Sequence, residues 1–398
     1  MTTSKERVLV VGGGFGGIKA ALELCKTDHY DVTLLSNKDI FQYYPTLYHT
    51  ATGGSTAESS IPVVRVFKDK EITLAWGTAT KLDRKKKTIT TKEGQTYHYD
   101  KLILSLGSVP NYFGIKGIQE YSFSIKTPED ARRFKHHLHQ QLVEENKPDL
   151  NYVVVGGGPT GIELSSALVG YLKEIMKAHG IKHRAVHVDL IEAAPKLVPR
   201  MPKSMSRAIQ RRLRKLGVKL YLGKTVEGAT ADDLTVDGKP IQSHSIVWTA
   251  GVTNHPFFRD NGFRLNPRGK VEIDEYMQSD PDIFVIGDNA DTQFSGMAQT
   301  ALYDGKFVGK NLIRLAEGEL MERYKPKEPI YVIPAGEGWA AVLWGKAKIY
   351  GMLGWILRSL ADLRGFSDYE PWWRAGMQWT TGFQEEDDCA TCIDRPAA

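Results

Sequence analysis

Two glycine-rich loops, about 140 residues apart, constrain the fold of this chain more than any other feature of its sequence. Each loop follows an apolar run rich in β-branched residues, Arg7–Val11 for the first and Asn151–Val155 for the second. A helical pattern and a further apolar run follow each loop. The repeated order of strand, loop, helix and strand predicts an α/β fold with two Rossmann-type dinucleotide-binding domains.

The first loop has glycine at each position where a dinucleotide-binding turn needs it. Gly12 permits the tight turn, Gly14 lets the backbone approach a pyrophosphate, and Gly17 lets the helix pack closely on the strand. The N-terminus of the helix offers N–H groups and a positive dipole to the diphosphate. The acid that usually binds the ribose is missing, because the next strand ends at Ser36 and Asn37, whose neutral groups bind a hydroxyl more weakly.

The second loop repeats this logic and is followed by the expected acid. Gly156, Gly158 and Gly161 stand at the three glycine positions. The next predicted strand ends at Glu192, whose carboxylate can accept both ribose hydroxyls of NADH and would repel the additional phosphate of NADPH. Lys196, close by in the sequence, keeps NADPH open as an alternative donor. Two such units imply two cofactors, and the usual pair in hydride chemistry is a resident flavin and an exchanging nicotinamide.

The composition agrees with a globular protein of several domains. The chain has 398 residues, of which 41% are hydrophobic and 25% charged. The net charge of +5 is modest, and cations interleaved with aromatic residues do not form a stripe, so nucleic acid is not a predicted partner. The charge is compatible with a surface that meets anionic lipid. No run of about 18 uncharged apolar residues occurs, so we predict no membrane-spanning helix.

Several further motifs resemble the type II NADH dehydrogenases of the two-dinucleotide flavoprotein superfamily. The resemblance extends from about residue 6 to residue 375 and rests, beside the two loops, on Phe41–Gly53, Ser105–Gly107, Asn111–Gly114, Ile246–Val252, Val285–Asp288 and Ala298–Ala301. It implies a glutathione-reductase-like fold with non-covalent FAD in the first unit and NADH in the second. The implied reaction transfers a hydride from NADH to the flavin and two electrons to a membrane quinone, without proton pumping.

The resemblance also assigns residues to roles. Asp288 would bond the ribityl chain of FAD, and the helix that begins near Ala298 would point its positive end at the flavin. Glu163 and Gln299 are the predicted catalytic residues, near the flavin and the quinone. A first-turn carboxylate favoured by the helix dipole is an equally simple interpretation of Glu163. The full set of predicted cofactor-binding residues is Gly12, Gly14, Phe15, Gly16, Gly17, Ser36, Asn37, Pro45, Thr46, Ala79, Gly107, Gly156, Gly158, Pro159, Thr160, Gly161, Glu192, Gly251, Asp288, Ala298 and Gln299.

The chain departs from the family at Tyr303, where the family's AQxAxQ pattern has a second glutamine. We therefore expect an altered quinone pocket. No metal site is predicted. Cys389 and Cys392 form a CxxC pair, which we interpret as part of a tail without function because no second pair is present to complete a zinc site.

The segment Trp339–Phe366 is rich in apolar and aromatic residues. Its apolar residues at helical spacing are Ile349, Met352, Leu353, Ile356, Leu360 and Leu363, its flanking cations are Lys346, Lys348, Arg358 and Arg364, and Trp372, Trp373 and Trp379 follow. This pattern predicts a helix in the membrane interface, with its apolar face toward the lipid. Packing on the core or on a second subunit remains an alternative that periodicity does not separate.

The expected domain order is an FAD-binding domain interrupted by an NADH-binding domain. The expected ranges are 1–122 and 251–322 for FAD, 123–250 for NADH, 323–383 for membrane interface and dimerisation, and 384–398 for a disordered tail. The expected state is a homodimer on the cytoplasmic face of the inner membrane. The alternatives are an NADH-dependent flavoprotein reductase with a soluble acceptor and a slowly reacting flavoprotein sensor resembling apoptosis-inducing factor.

Overall fold

The computed structural model describes residues 5–144, 149–182 and 184–382. The predicted tail at 384–398, with Cys389 and Cys392, lies outside these residues. The strands are, in chain order, β1 (Glu6–Val11), β2 (Tyr30–Ser36), β3 (Ile40–Gln42), β4 (Ser60–Pro62), β5 (Thr73–Trp76), β6 (Ala79–Asp83), β7 (Thr88–Thr91), β8 (Thr96–His98), β9 (Lys101–Leu104), β10 (Ser108–Pro110), β11 (Asn151–Val155), β12 (His187–Glu192), β13 (Lys219–Leu222), β14 (Val226–Ala229), β15 (Asp233–Val236), β16 (Lys239–Gln242), β17 (Ser245–Trp248), β18 (Val252–Asn254), β19 (Gln278–Asp280), β20 (Ile283–Val285), β21 (Tyr331–Pro334), β22 (Ala340–Trp344) and β23 (Ala347–Gly351). The helices are α1 (Phe15–Leu24), α2 (Leu47–Thr50), α3 (Thr56–Ser59), α4 (Val63–Val66), α5 (Ile118–Tyr121), α6 (Pro128–His139), α7 (Pro159–Ala178), α8 (Lys203–Leu216), α9 (Pro256–Asp260), α10 (Ala298–Ala316), α11 (Met352–Ser367) and α12 (Trp372–Thr381).

The first sheet has the strand order β19-β20-β9-β1-β2-β5 and is parallel except for β19. Val8 to Val11 of β1 are buried, as expected of a parallel strand that is covered on both faces. In the register of the sheet, Val11 lies opposite Leu35 of β2 and Leu104 of β9. The carboxyl ends of three strands therefore meet beside Gly12, which is where dinucleotides bind in such sheets.

The second sheet, of order β13-β12-β11-β17, is parallel throughout and confirms the predicted second Rossmann-type sheet. A three-stranded antiparallel sheet, β14-β15-β16, is inserted between β13 and β17. The two connections between the units contain the strands β10 and β18. These strands pair antiparallel, with Ser108 opposite Asn254 and Pro110 opposite Val252. The two sheets are thus joined by hydrogen-bonded strands.

The sequence pattern of residues 70–83 predicts antiparallel pieces, and this prediction is partly wrong. Thr73–Trp76 forms β5, which pairs in parallel with β2 at the edge of the first sheet. Only β6 pairs antiparallel with β7. A four-residue edge strand has the same local pattern in either pairing, so the sequence alone does not separate the two.

Helices α1 and α10 pack against each other with their backbones in close contact. A Cβ atom on Gly305 of α10 would overlap the carbonyl oxygen of Gly16, and one on Gly309 would lie 2.8 Å from Cβ of Glu23 in α1. Two helices can approach this closely only where one of them carries no side chain. The contact fixes the start of α1, where the first glycine loop ends.

The C-terminal segment corrects the predicted helix. Ile349 lies in β23 of the sheet β21-β22-β23, and α11 begins only at Met352, after Gly351, whose φ of +78° ends the strand. Helix α11 then packs on this sheet through Gly354. A Cβ atom on Gly354 would overlap the carbonyl oxygen of Ala340. Its outward side carries Met352, Leu353, Ile356 and Leu360, which we call the apolar stripe and which are 60%, 68%, 47% and 53% exposed.

Ion pairs and an aromatic contact hold the C-terminal helices α11 and α12 against the first unit. Lys19 of α1 pairs with Asp368 at 3.2 Å, and the ring of Tyr369 lies 5.9 Å from that of Phe15. Arg65 forms an ion pair with the buried carboxylate of Glu370 and donates to Oε1 of Gln378 at 2.7 Å. Within the described residues, no helix is long and apolar enough to cross a bilayer.

The contact between α1 and α10 generates a prediction on stability. Gly305→Ala should lower the free energy of unfolding by roughly 1–3 kcal/mol, because the new methyl group forces the two backbones apart. Gly170→Ala is the matched control, since Gly170 lies in α7 with open space around its Cβ position, and it should raise stability by up to about 1 kcal/mol. Denaturant unfolding measures both variants, and equal effects would contradict the proposed close packing.

Candidate dinucleotide-binding and redox site

The first glycine loop has the geometry of a dinucleotide-binding turn. Gly12 has φ of +112°, and its N–H donates to the carbonyl oxygen of Leu35 at 2.8 Å. A Cβ on Gly12 would overlap the carbonyl oxygen of Ser105, and one on Gly17 would overlap that of Gly12. Around Gly14, in contrast, no atom lies within 4 Å of the Cβ position. The loop is therefore closed on its protein side and open at Gly14, where a pyrophosphate would approach.

The second loop repeats the same geometry. Gly156 has φ of +116°, and its Cβ position lies 2.7 Å from Cα of Ala250. Gly161 contacts the carbonyl oxygen of Gly156 closely, and Gly158 has open space around it. Gly158 and Gly14 are the N-cap residues of α7 and α1, and neither helix has a side chain that caps its N-terminus. The first-turn N–H groups are thus available to an anion.

Glu192 lies at the end of β12, directly beside the second loop. Its Oε2 accepts from the N–H of Gly157 at 2.6 Å, and its Oε1 accepts from the N–H of Ala194 at 2.7 Å. These two bonds hold the carboxylate at the carboxyl edge of the sheet. Lys196, which could have compensated an additional phosphate, donates instead to the carbonyl oxygen of Met201 at 3.0 Å.

Ser36 takes the corresponding place beside the first loop. The side chain is buried, and its hydroxyl donates to the carbonyl oxygen of Lys38 at 2.8 Å. A Cβ on Gly13 would lie 2.6 Å from Oγ of Ser36. Asn37 is exposed. Ala79 is buried at the start of β6, three residues after Trp76, which pairs with Ser36 across the sheet.

A turn at Gly287–Asn289 completes the first site. Asp288 accepts from the hydroxyl of Ser108 at 2.9 Å. The buried amide of Asn289 holds Gly107 on both sides, since its Oδ1 accepts from the Gly107 N–H at 2.9 Å and its Nδ2 donates to the Gly107 carbonyl at 2.7 Å. Asn289 thereby ties the loop after β9 to the turn that carries Asp288.

Asp304 supports this turn through a hydrogen bond to its first residue, Gly287. It is fully buried in α10, where its Oδ2 accepts from the N–H of Gly287 at 3.0 Å and its Oδ1 from the hydroxyl of Tyr324 at 2.7 Å. Burial raises the pKa of Asp304 to about 7, and the charge of Asp288 acts in the same direction. The two hydrogen bonds act against this rise because they favour the ionised form.

The N-terminus of α10 begins at Ala298, and its N-cap residue, Met297, makes no side-chain cap. The side-chain amide of Gln299 forms two hydrogen bonds with the backbone of Ile330. Its Nε2 donates to the carbonyl oxygen of Ile330 at 2.9 Å, and its Oε1 accepts from the Ile330 N–H at 3.0 Å. The ring of Tyr303 lies 5.7 Å from that of Tyr324.

A second group of titratable residues surrounds Pro45. Arg358 is buried, donates to the carbonyl oxygen of Pro45 at 2.8 Å, and pairs with Asp362, which also accepts from the hydroxyl of Tyr43 at 3.0 Å. Glu163 is the fifth residue of α7, just past its first turn, and is partly buried near Arg358. Burial raises the pKa of Glu163 to about 8, although the positive charge of Arg358 acts in the opposite direction.

The remaining predicted residues are distributed over the two units. Phe15 packs on Phe41 with ring centroids 5.0 Å apart, and Thr46 donates to the carbonyl oxygen of Tyr43 at 3.2 Å. Pro159 and Thr160 form the first turn of α7. Gly251 lies under the ring of Phe113, whose Cζ is 2.6 Å from the Gly251 Cβ position. Within residues 5–144, 149–182 and 184–382, no group of His, Cys, Asp or Glu has the arrangement of a metal site.

Sequence reasoning misassigned Arg358 and overlooked Asp304 and Asn289. Arg358 was predicted as a flanking cation of a helix in the membrane interface, but it is buried against the carbonyl group of Pro45, in the motif Phe41–Gly53. A signal was present, because Gly354, Arg358, Asp362 and Phe366 recur every four residues on the side of α11 opposite the apolar stripe. That spacing places them on one helix face, which turns inward.

The residues present fit two dinucleotides. Both loops leave open space at the middle glycine, both helices have uncapped N-termini, and a polar side chain, Ser36 or Glu192, stands beside each loop. These are the features that a pyrophosphate and a ribose require.

Comparison with known proteins agrees with this geometry. Residues 6–305 match the family of pyridine nucleotide-disulphide oxidoreductases. The chain belongs to this family. A type II NADH:quinone oxidoreductase of Staphylococcus saprophyticus is 26% identical over 390 residues, which cover 92% of this chain and 96% of the relative. One of Staphylococcus aureus is 28% identical over 349 residues, or 82% of this chain and 86% of the relative. The predicted resemblance to type II NADH dehydrogenases is confirmed.

Solved structures confirm the fold. NDH2 of Plasmodium falciparum in complex with NADH has a TM-score of 0.86 at 16% identity, with 95% of this chain and 97% of that chain covered. The sulfide:quinone oxidoreductase of Aquifex aeolicus has a TM-score of 0.77 at 18% identity, with coverages of 94% and 92%. At such identities the likeness concerns the fold alone.

The burial of Asp304 predicts a pH-dependent stability. Its pKa is about 7 in the folded chain against an ordinary 3.8, so the folded state binds the proton more tightly and the free energy of unfolding falls as pH rises from about 4 to about 7. Asp304→Asn cannot titrate. Relative to the wild type it should gain roughly 1–4 kcal/mol across this window, measured by denaturant unfolding at a series of pH values. The exposed Asp260→Asn is the control, and a parallel pH course for Asp304→Asn and wild type would refute the assignment.

Proposed function

We propose that the chain oxidises NADH and reduces a quinone at a membrane surface, with FAD in the first unit and NADH in the second. The observation that carries this proposal is the pair of open glycine loops with unlike partners, Ser36 at the first and Glu192 at the second. Two dinucleotides in one chain suit a reaction in which one stays and the other exchanges. The type II relatives support the same enzyme class.

The first unit suits FAD because residues outside the glycine loop also offer contacts to a flavin. Asp288 is held by Ser108 and stands on a turn fixed by Asn289 and Asp304, so its carboxylate can accept from a hydroxyl of a ribityl chain. The uncapped start of α10 at Ala298 offers positive potential to a negatively charged ring edge. A bound flavin would supply the ability to accept a hydride and to give up electrons to a second substrate.

The second unit suits NADH. The Glu192 carboxylate is fixed by two backbone N–H groups, and this pre-oriented charge favours ribose hydroxyls and disfavours a ribose phosphate. Gly251 lies against the ring of Phe113, and its neighbour Ala250 lies against Gly156 of the second loop. We propose that Phe113, which is 61% exposed, covers the bound nucleotide.

Glu163 and Arg358 are the groups that we propose for the quinone side. The carboxyl group of Glu163 holds a proton at neutral pH because its pKa is raised to about 8, and it can donate that proton to a quinone oxygen as the electrons arrive. Arg358 orients Pro45 and moderates the pKa of Glu163. Gln299, whose amide is engaged by Ile330, positions the segment at 330 in this scheme.

The apolar stripe supports a peripheral attachment to the membrane. Four apolar side chains on one face of α11 are about half exposed or more, and Trp372 in α12 is 80% exposed. Such a face can lie in the lipid interface, from which a quinone is reached. We further propose a homodimer on the cytoplasmic face of the inner membrane and a reaction without proton pumping.

The reaction is tested by its two half-reactions. NADH should bleach the flavin absorbance of the purified protein within seconds, and a quinone should restore it. Glu163→Gln should leave the bleaching rate unchanged and slow the reoxidation by quinone. In the wild type reoxidation should decline as pH rises above about 8, where Glu163 loses its proton, whereas the variant should show no such decline.

The outcomes separate the alternatives. Bleaching without reoxidation by any quinone would indicate a reductase with a soluble acceptor, and no bleaching would leave a flavoprotein sensor. An unchanged pH profile in Glu163→Gln would remove Glu163 from the quinone reaction without affecting the rest of the proposal.

The choice of donor is tested at Glu192. Glu192→Gln keeps the shape of the side chain and removes its charge, so KM for NADH should rise about tenfold or more and the preference over NADPH should shrink. Glu227→Gln is the matched control, because Glu227 is exposed in the same unit and likewise accepts from a backbone N–H, that of Gly238 at 2.9 Å. A wild type that prefers NADPH would show that the role of Glu192 has been misassigned.

A further inference from the structure

The exposed face of α8 carries positive charges only. The helix Lys203–Leu216 has 14 residues, none of them acidic. Met205, Ile209 and Leu213 are buried and attach the helix to the second unit. The charged residues on its exposed side are Lys203, Arg207, Arg211, Arg214 and Lys215. We call these five side chains the basic face.

Among residues 5–144, 149–182 and 184–382, none of the five side chains of the basic face forms an ion pair. Lys203 and Arg207 are four residues apart, as are Arg207 and Arg211, and Arg211 and Lys215. Like charges at this spacing repel each other and destabilise a helix. An external anionic surface would relieve this repulsion.

The one inward-turned cation of α8 joins the helix to the C-terminal sheet. Arg212 donates through Nε to the carbonyl oxygen of Ala335 at 3.0 Å and through Nη2 to that of Glu337 at 2.9 Å. Leu216 lies beside Gly336, with its Cδ1 2.9 Å from the Gly336 Cβ position. The last two turns of α8 therefore pack on the loop between β21 and β22.

The same loop borders the apolar stripe. Cε of Met352, the first residue of the stripe, lies 3.4 Å from the Cβ position of Gly338. Arg212 thus contacts residue 337 while Met352 contacts residue 338. Helix α8, which carries the basic face, and the apolar stripe therefore contact the same short loop, although about 140 residues separate them in the sequence.

We propose that the basic face of α8 binds the headgroups of anionic phospholipids and forms, with the apolar stripe, one membrane-docking surface. This inference rests on the proposed membrane attachment and adds its lipid selectivity. Apolar side chains that enter the interface bind to any bilayer, whereas cations add an attraction that depends on the lipid charge. The surface would bring the second unit, and not only the C-terminal helices, against the bilayer.

The test compares sedimentation of the flavin-loaded protein with vesicles of phosphatidylcholine alone and with vesicles that also contain phosphatidylglycerol. The charge-reversal variant is Arg207→Glu/Arg211→Glu/Arg214→Glu. Each cation near an anionic surface contributes about fivefold to binding, so the variant should lose about a hundredfold or more in affinity for the anionic vesicles. Its binding to neutral vesicles should not change. Added salt should weaken wild-type binding to anionic vesicles only.

Two controls make the result specific. Lys81→Glu/Lys85→Glu/Lys86→Glu changes the net charge equally at three exposed lysines near the turn between β6 and β7, and it should lose far less affinity. Flavin fluorescence and thermal unfolding of each variant show that the fold is retained. If both triple variants lose affinity equally, the net charge and not α8 determines binding, and the inference is wrong.

A third variant separates this inference from the proposed function. Leu353→Ser/Ile356→Ser/Leu360→Ser should lose binding to neutral and anionic vesicles alike. If it binds both like the wild type, the proposed membrane attachment through α11 fails. If it behaves as expected but the α8 variant keeps full affinity for anionic vesicles, only the role of α8 fails. Binding of the wild type to duplex DNA, without any gain on anionic over neutral vesicles, would also overturn the inference.

Discussion

The backbone contact between α1 and α10 determines the geometry of the first dinucleotide site. Helix α1 presents its uncapped N-terminus at Gly14, and α10 presents its own at Ala298. The two helices meet where Gly305 lies against the carbonyl of Gly16. One residue before Gly305, Asp304 holds the turn of Asp288. In the proposed FAD site, the positions of the residues at the diphosphate end and at the ribityl end would thus depend on one contact between two glycines.

The parts of the site that the sequence predicts are those that local geometry requires. Gly12, Gly14 and Gly17 are recognisable because a tight turn, an open approach and a close helix contact each exclude a side chain. Asp304 is different, because its hydrogen bonds go to Tyr324 and to the turn at Gly287, which lie 20 and 17 residues away and outside the helix α10. No local pattern distinguishes it from an exposed helical acid.

The C-terminal segment is a second and larger case in which the local sequence pattern does not predict the structure. Ile349 continues the periodic spacing of the apolar stripe, yet it belongs to β23, because Gly351 ends the strand with a positive φ. Arg358 was expected as an exposed cation, but the outward face of α11 is mainly apolar, and Arg358 and Asp362 lie on the inward face, whereas Arg364 is exposed. This inversion is opposite to that of an ordinary surface helix, whose apolar side faces the core. It is the arrangement expected where the surroundings outside the protein are apolar.

The C-terminal segment also contacts both dinucleotide units. Asp368 and Tyr369 contact α1 of the first unit, while Ala335 and Glu337 bond Arg212 of the second. A hydride transfer requires the two cofactors to meet within a few tenths of an ångström of the productive geometry, so relative movement of the units would be costly. Contacts that span both units restrict that movement. If the outer side of this segment rests on a lipid surface, as proposed, the membrane would support the same alignment, and the bond of Arg358 to Pro45 would hold α11 against the first unit at that surface.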